Sequence, residues 1–305
     1  MNENEILQIV SGRGYEFCGL AGEGATSRVY RIREWAGVQY YACKISEKTE
    51  WLSAESEMLK NLEHPIFPKW KEYWEEGENG FLVMEFLEGC SLEKRLRKEG
   101  KLQQREAIRI ALELADGLGY LHESRPMILY RDLKPENIIL QKDGRVRLTD
   151  LGAAAVPKGW RAGTPAYAAP EQQIEGKHLK MEATGQLQGQ QKKILSPASD
   201  IYALGIVMHY MLTGQNPCTD DHVILPVRRY DPSVKRGVED ILWRCIRWEP
   251  EERIQGMREL ARELQIYYNG SRLQILRRDC RFLLTKRQCP VYKKNIWKSD
   301  YKAIV

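Results

Sequence analysis

Between residues 14 and 46 apolar and polar positions alternate in short runs, the two-residue period of half-buried strands. Residues 15–20, 28–33 and 39–45 read as three strands. A turn at Gly22-Glu23-Gly24-Ala25-Thr26-Ser27 joins the first two, and Trp35-Ala36-Gly37 lies between the second and third. The period then lengthens. Trp51, Leu52, Ala54, Met58, Leu59 and Leu62 recur at helical spacing, and Pro65 and Pro68 stop that helix. Residues 70–74 and 81–87 read as two more strands around a turn at 77–80. Up to residue 87 the pattern therefore predicts a small, mostly antiparallel sheet with one helix.

After residue 90 the helical period dominates. Ser91 is placed to cap a helix starting at Leu92. Ile108, Ala111, Leu112, Ala115, Leu118 and Leu121 form one stripe of a long amphipathic helix over 103–122. Residues 138–140 and 146–149 read as short strands around Asp143-Gly144, a hairpin signal. Residues 200–212 are apolar on every side, which predicts a helix buried on every side; the run is too short to span a bilayer. Two more helices are expected over 238–248 and 257–267. Residues 176–193, rich in Gln, Lys and Gly, are expected to form a mobile loop.

Composition refines this picture. A chain of 305 residues, 43% hydrophobic and 29% charged, has the size of two domains or lobes. The seven cysteines show no C-x-x-C spacing, which fits reduced thiols in the cytoplasm and argues against a zinc site or a disulfide framework. The acidic start MNENEILQIV is not the basic region of an export signal. The net charge of +5 is unevenly placed: residues 266–305 hold ten Lys/Arg and two Asp/Glu. The basic balance belongs to this tail, and no nucleic-acid partner is expected of the rest. Leu273, Leu276, Cys280, Leu283 and Leu284 lie at helical spacing among arginines. Such a helix either rests on an anionic membrane or a partner, or packs back with its charges solvated.

Candidate chemistry centres on Tyr130-Arg131-Asp132-Leu133-Lys134-Pro135-Glu136-Asn137, with Asp150-Leu151-Gly152 following a hairpin. Asp132, Lys134, Asn137 and Asp150 combine a carboxylate for a hydroxyl, a cation for phosphate, and oxygen ligands for a divalent metal. Gly22-x-Gly24 alone reads first as a tight turn and second as bare backbone lying over phosphates. Lys44, ending the third strand, points either to solvent or to Glu55 on the following helix.

Taken together, Gly22-x-Gly24, Lys44, Glu55, residues 130–137, Asp150-Leu151-Gly152, Ala169-Pro170-Glu171, Asp200-x-Tyr202-x-x-Gly205 and Arg253 resemble the ordered signature of eukaryotic-type serine/threonine protein kinases, in the style of bacterial members. The resemblance covers roughly residues 12–265. It implies an α+β, bilobal fold: a small antiparallel-sheet lobe over about 12–87, a mainly helical lobe over about 88–265, and a separate tail over 266–305. It implies ATP and Mg²⁺, with Mn²⁺ as an alternative ion, and a protein substrate carrying Ser or Thr, with self-phosphorylation as an alternative; the other readings are a nucleotide-binding pseudokinase or scaffold and, behind it, a small-molecule phosphotransferase.

The resemblance also implies roles. Asp132 is the catalytic base and Lys134 the cation beside it. Asn137 and Asp150 are the metal ligands. Lys44, paired to Glu55, holds phosphate. Gly22, Glu23, Gly24 and Ala25 cover the nucleotide. Val29, Ala42 and Ile139 sandwich adenine, Met84 guards the pocket, and the hinge from Glu85 to Leu87 bonds the base. Leu59, Trp70, Tyr130, Leu151 and Asp200 form a stacked spine, and Glu171 pairs with Arg253. Three departures stand out. Ser27 replaces a common third glycine. Residues 153–163 hold no Ser, Thr, Tyr, Asp or Glu, although Arg131 is of the kind that usually receives a phosphate from this segment. Residues 217–238 leave the docking helix short or missing, whereas the stretch between Glu171 and Asp200 is long, and its loop over 176–195 either lies near the substrate groove or is inert.

Overall fold

A computed structural model describes residues 3–24, 26–156, 163–173, 195–215 and 224–270. The first lobe holds α1 (Glu3–Gly12), β1 (Tyr15–Glu23), β2 (Arg28–Glu34), β3 (Tyr40–Ser46), α2 (Thr49–Lys60), β4 (Trp70–Glu76) and β5 (Asn79–Glu85). Its five strands pair antiparallel in the order β1-β2-β3-β5-β4.

Strand alternation divides the lobe's chemistry. On β3, Tyr41, Cys43 and Ile45 join a core with Tyr30, Ile32, Phe81 and Val83. Ala42 belongs to the other core, which continues into the second lobe. The parity of the strand places Lys44 and Ser46 on the same face as Ala42.

The expectation of a single helix in this lobe needs correction. Helix α1 precedes the sheet, and its Ile6 and Val10 are fully buried in the core of the Tyr41 face. Arg13 lies over the Trp74 ring at 4.9 Å, fixing the turn that follows α1. Strand limits also differ from the pattern: β4 runs on to Glu76, and β5 already starts at Asn79. β1 runs through Gly22 and Glu23, so the turn begins at Gly24. β5 ends at Glu85, not at residue 87, because the Glu85 side chain turns to Arg147 of the second lobe.

The second lobe comprises β6 (Cys90–Ser91), α3 (Leu92–Glu99), α4 (Gln104–Glu123), β7 (Ile138–Leu140), β8 (Val146–Leu148), α5 (Gly152–Ala155), α6 (Pro197–Thr213), α7 (Val227–Tyr230), α8 (Arg236–Cys245) and α9 (Met257–Asn269). Ser91 caps α3, accepting the Lys94 amide at 3.3 Å. The stripe on α4 is buried as its spacing requires, apart from Leu112, which is half-buried at its edge. Every residue of α6 from Ala198 to Thr213 is buried, which accounts for a helix apolar on all sides. Gly205 lets α8 approach: a Cβ there would lie 2.7 Å from Cys245 Cβ. The described part of 217–238 before α8 contains one helical turn, α7, as the short spacing predicts. The expected loop at 176–193 and the tail helix lie outside the described residues.

Candidate active site

The β7–β8 hairpin and the loop before it carry most of the site. Asp200, near the start of α6, accepts the Tyr130 amide at 2.9 Å, the Arg131 amide at 2.8 Å and His122 Nε2 at 2.7 Å. This buried carboxylate holds Arg131 in the left-handed region at φ 68°. Asp150 is the other non-glycine residue there among the described residues, at φ 63°. Such backbone costs about 1–3 kcal/mol and persists where its surroundings enforce it.

Both oxygens of Asp132 are engaged. Oδ1 accepts the Thr164 amide at 2.8 Å and the Thr164 hydroxyl at 2.9 Å. Oδ2 lies 2.7 Å from Lys134 Nζ and 3.3 Å from Asn137 Nδ2. Lys134 also donates to Thr164 Oγ1 at 2.9 Å. The carboxylate is thus fixed in direction while partly open to solvent, the condition for meeting an incoming hydroxyl.

Across the site, Lys44 Nζ lies 2.7 Å from Glu55 and 2.7 Å from Asp150. Burial works against the Lys44 charge, but Glu55 and Asp150 outweigh it and hold the ammonium above its ordinary range. Burial likewise opposes ionisation of Asp150; Lys44 and the Gly152 amide outweigh it and keep the carboxyl below its usual value. Burial pushes Glu55 up against the pull of Lys44. Gly152 sits in this crowding: a Cβ there would stand 3.0 Å from Asp150 Oδ1 and 3.3 Å from Lys44 Nζ, so both side chains would have to shift slightly.

Gly22 differs. Its φ is unremarkable, and a Cβ would meet nothing within 4 Å. Neither conformation nor packing within the chain demands glycine at this position.

The adenine-facing set is partly united. Ala42 and Met84 are register partners on β3 and β5, both buried, and Val29 packs against their core. Ile139 is half-buried on β7, its Cγ2 2.8 Å from where a Cβ on Gly89 would stand. Leu87 is half-buried, and Glu23 and Gly24 are exposed. Ala25 lies outside the described residues. Leu59, Tyr130 and Leu151 are buried in the main core, and Trp70 packs at its edge. Glu171 and Arg253 form a fully buried bidentate pair at 2.7 and 2.8 Å.

Pattern reading missed the anchor of the hinge. Arg147 on β8 donates to Glu85 at 2.7 and 3.1 Å and to the Phe67 carbonyl at 3.0 Å. Burial raises Glu85, but Arg147 and the Lys69 amide outweigh it and lower its pKa. The only sequence signal was a charge in the middle of a short apolar strand.

The site lies between the two lobes, and the family is shown independently. The sequence profile described as "Protein kinase domain" matches residues 15–264, and the chain belongs to that family. Among curated relatives, the chain is 28% identical over 299 residues to "Serine/threonine-protein kinases drp72" of Corynebacterium efficiens, covering 89% of this chain and 54% of that protein. It is 25% identical over 290 residues to "Serine/threonine-protein kinase PrkC" of Bacillus subtilis, covering 87% and 42%. It is 35% identical over 214 residues to "cAMP-dependent protein kinase catalytic subunit PRKX" of Mus musculus, covering 66% and 54%. The chain therefore spans about half the length of the curated relatives it matches.

Proposed function

We propose that this protein transfers the γ-phosphoryl group of ATP to Ser or Thr hydroxyls of protein substrates. The observation that carries the reading is the fixed Asp132 carboxylate, held by Lys134 at 2.7 Å and by Thr164, with the Lys44–Glu55–Asp150 cluster completing the site. Asp132 orients the acceptor hydroxyl and takes its proton. Lys134 balances charge on the moving group. Lys44, aimed by Glu55, holds the nucleotide phosphates beneath Gly22 and Gly24. Val29, Ala42 and Ile139 enclose adenine beside Met84, and the backbone of residues 85–87 bonds its edge.

Asn137 and Asp150 offer amide and carboxylate oxygens, the donor type of a hard divalent ion, and would hold Mg²⁺ or Mn²⁺. When bound, such an ion neutralises phosphate charge.

Thr164 favours a protein acceptor over a small molecule. It contacts both Asp132 and Lys134, and its segment reaches Glu171, which is clamped by Arg253. A platform so anchored beside the base suits a peptide chain. Scattered thiols, free at Cys18, Cys43, Cys90 and Cys245, support a cytoplasmic location.

The test is incubation with γ-labelled ATP and magnesium, with and without a basic protein substrate, followed by mapping of labelled residues. Label on Ser and Thr is expected. Label confined to small molecules, or to Tyr, would contradict the reading.

A further inference from the structure

Ser46 ends β3, two residues beyond Lys44 and on the same face of the strand. Only 7% of it is exposed. Its hydroxyl donates to the Thr26 carbonyl at 2.8 Å and accepts the Lys48 backbone amide at 3.0 Å. A hydroxyl has one proton, so with the amide directed to an oxygen lone pair that proton is committed to Thr26.

Thr26 belongs to the turn between β1 and β2, where the Gly24 amide donates to the Ser27 carbonyl at 2.8 Å. Gly22 and Gly24 contribute no side chain to hold this turn down, and Thr26 is exposed. Lys48 stands at the other end of the relay. It is the N-cap residue of α2, and its carbonyl accepts the Trp51 and Leu52 amides at 3.1 and 3.0 Å. One buried hydroxyl therefore joins the turn over the site to the start of the helix that carries Glu55.

We propose that Ser46 is a positioning residue that holds the β1–β2 turn down over the nucleotide phosphates. It acts through Thr26 and not by touching the nucleotide. The proposal rests on the reading of this turn as the nucleotide cover. Removing the hydroxyl leaves the Thr26 carbonyl to water and frees the turn to lift, so bound nucleotide escapes faster. Peptide binding and the chemical step do not pass through this bond.

The experiment compares the full 305-residue chain with Ser46→Ala, Ser46→Cys and Ser46→Thr. ADP affinity is measured by calorimetry, ATP kinetics by turnover, and amide exchange across residues 24–28 without nucleotide. Ser46→Ala and the nearly isosteric, poorly donating Ser46→Cys should each weaken ADP binding by roughly 3- to 10-fold. They should raise KM for ATP in parallel while leaving kcat and the peptide KM near wild type, and should speed exchange at 24–28. Ser46→Thr, which restores a hydroxyl on a β-branched side chain suited to a strand, should behave as wild type. Wild-type ADP affinity and wild-type exchange in both Ala and Cys variants would overturn the proposal. So would a Thr variant as impaired as Ala, because bulk and not the hydroxyl would then be at issue. Absence of ADP binding in all proteins, wild type included, would instead overturn the nucleotide reading of the turn, and with it the role assigned to Ser46.

Discussion

The guanidinium of Arg131, one residue before Asp132, donates to the backbone carbonyl of Val156 at 2.8 Å. A buried arginine thus holds the segment after Asp150 through main chain, with no side-chain charge from residues 153–156. Residues 153–163 also offer no hydroxyl to phosphorylate. Activity is therefore expected to be independent of a phosphate in this segment. Protein stripped by a phosphatase should keep its turnover within about twofold, since no new charge-assisted bonds are being removed. Complete loss of activity on dephosphorylation would contradict this.

Lys44 carries two carboxylates, and its removal should register in both stability and activity. Lys44→Met leaves Glu55 buried without its cation and Asp150 without its closest one. The expected cost is about 3–5 kcal/mol in unfolding free energy. Phosphoryl transfer should fall by about 10²–10³-fold, the scale seen when one preorganised donor is lost. Glu55→Gln, which keeps an oxygen for Lys44, should lose less on both counts. Denaturant unfolding and steady-state turnover check the pair, and a Lys44→Met protein of wild-type stability would speak against a bridging role.

His209 supplies a pH dependence remote from the site. It is buried in α6, with Nε2 2.8 Å from the Leu225 carbonyl and its ring edge-on to Tyr230. Burial lowers its pKa below the ordinary 6.5, and the carbonyl only partly offsets this. Above 6.5 the imidazole is neutral in both folded and unfolded chains. As pH falls below that value the unfolded chain takes up a proton that the folded site still refuses. Stability present above 6.5 is therefore lost as pH falls towards the depressed folded pKa, by at most about 1.4 kcal/mol per pH unit. Melting temperature measured from pH 7.5 down to 5.5 should fall more steeply in wild type than in His209→Gln. Parallel curves would show that the folded and unfolded chains take up this proton alike, which would contradict a depressed folded pKa.

Much of the fold was legible because its signals are local. The period-2 runs gave the strands, the α4 stripe gave a buried face, and Ser91 gave a cap, each within a few residues. Helix α1 was missed because Ile6 and Val10 become significant only once the Tyr41 face of the sheet exists to receive them. The end of β5 was misplaced because Arg147 lies 62 positions from Glu85, and nothing local pairs them. In the site, Asp132, Lys134 and Asn137 could be read from adjacency. Lys44, Glu55 and Asp150 became one cluster only through the order of motifs. The Ser46–Thr26 bond depends on sheet register and turn geometry together, which no spacing rule supplies.

The Glu171–Arg253 pair anchors the platform that Thr164 extends. Both side chains are fully buried and Ser199 donates to Glu171 at 2.7 Å. Arg253→Met should cost about 3–5 kcal/mol by stranding the carboxylate. Arg253→Lys should recover only part of this, because a single ammonium cannot reproduce the two parallel bonds at 2.7 and 2.8 Å. Thermal unfolding of the three proteins decides the matter, and a lysine variant equal to wild type would contradict the bidentate account.

The central claim is that Asp132 receives the proton of a protein Ser or Thr hydroxyl as phosphate is transferred. Its most direct test is single-turnover transfer from γ-labelled ATP to a protein substrate by wild type and Asp132→Asn, with ADP affinity measured alongside. The account predicts a rate lower by about 10²–10⁴-fold in the variant, with ADP binding and melting temperature preserved. Wild-type transfer by Asp132→Asn would contradict it.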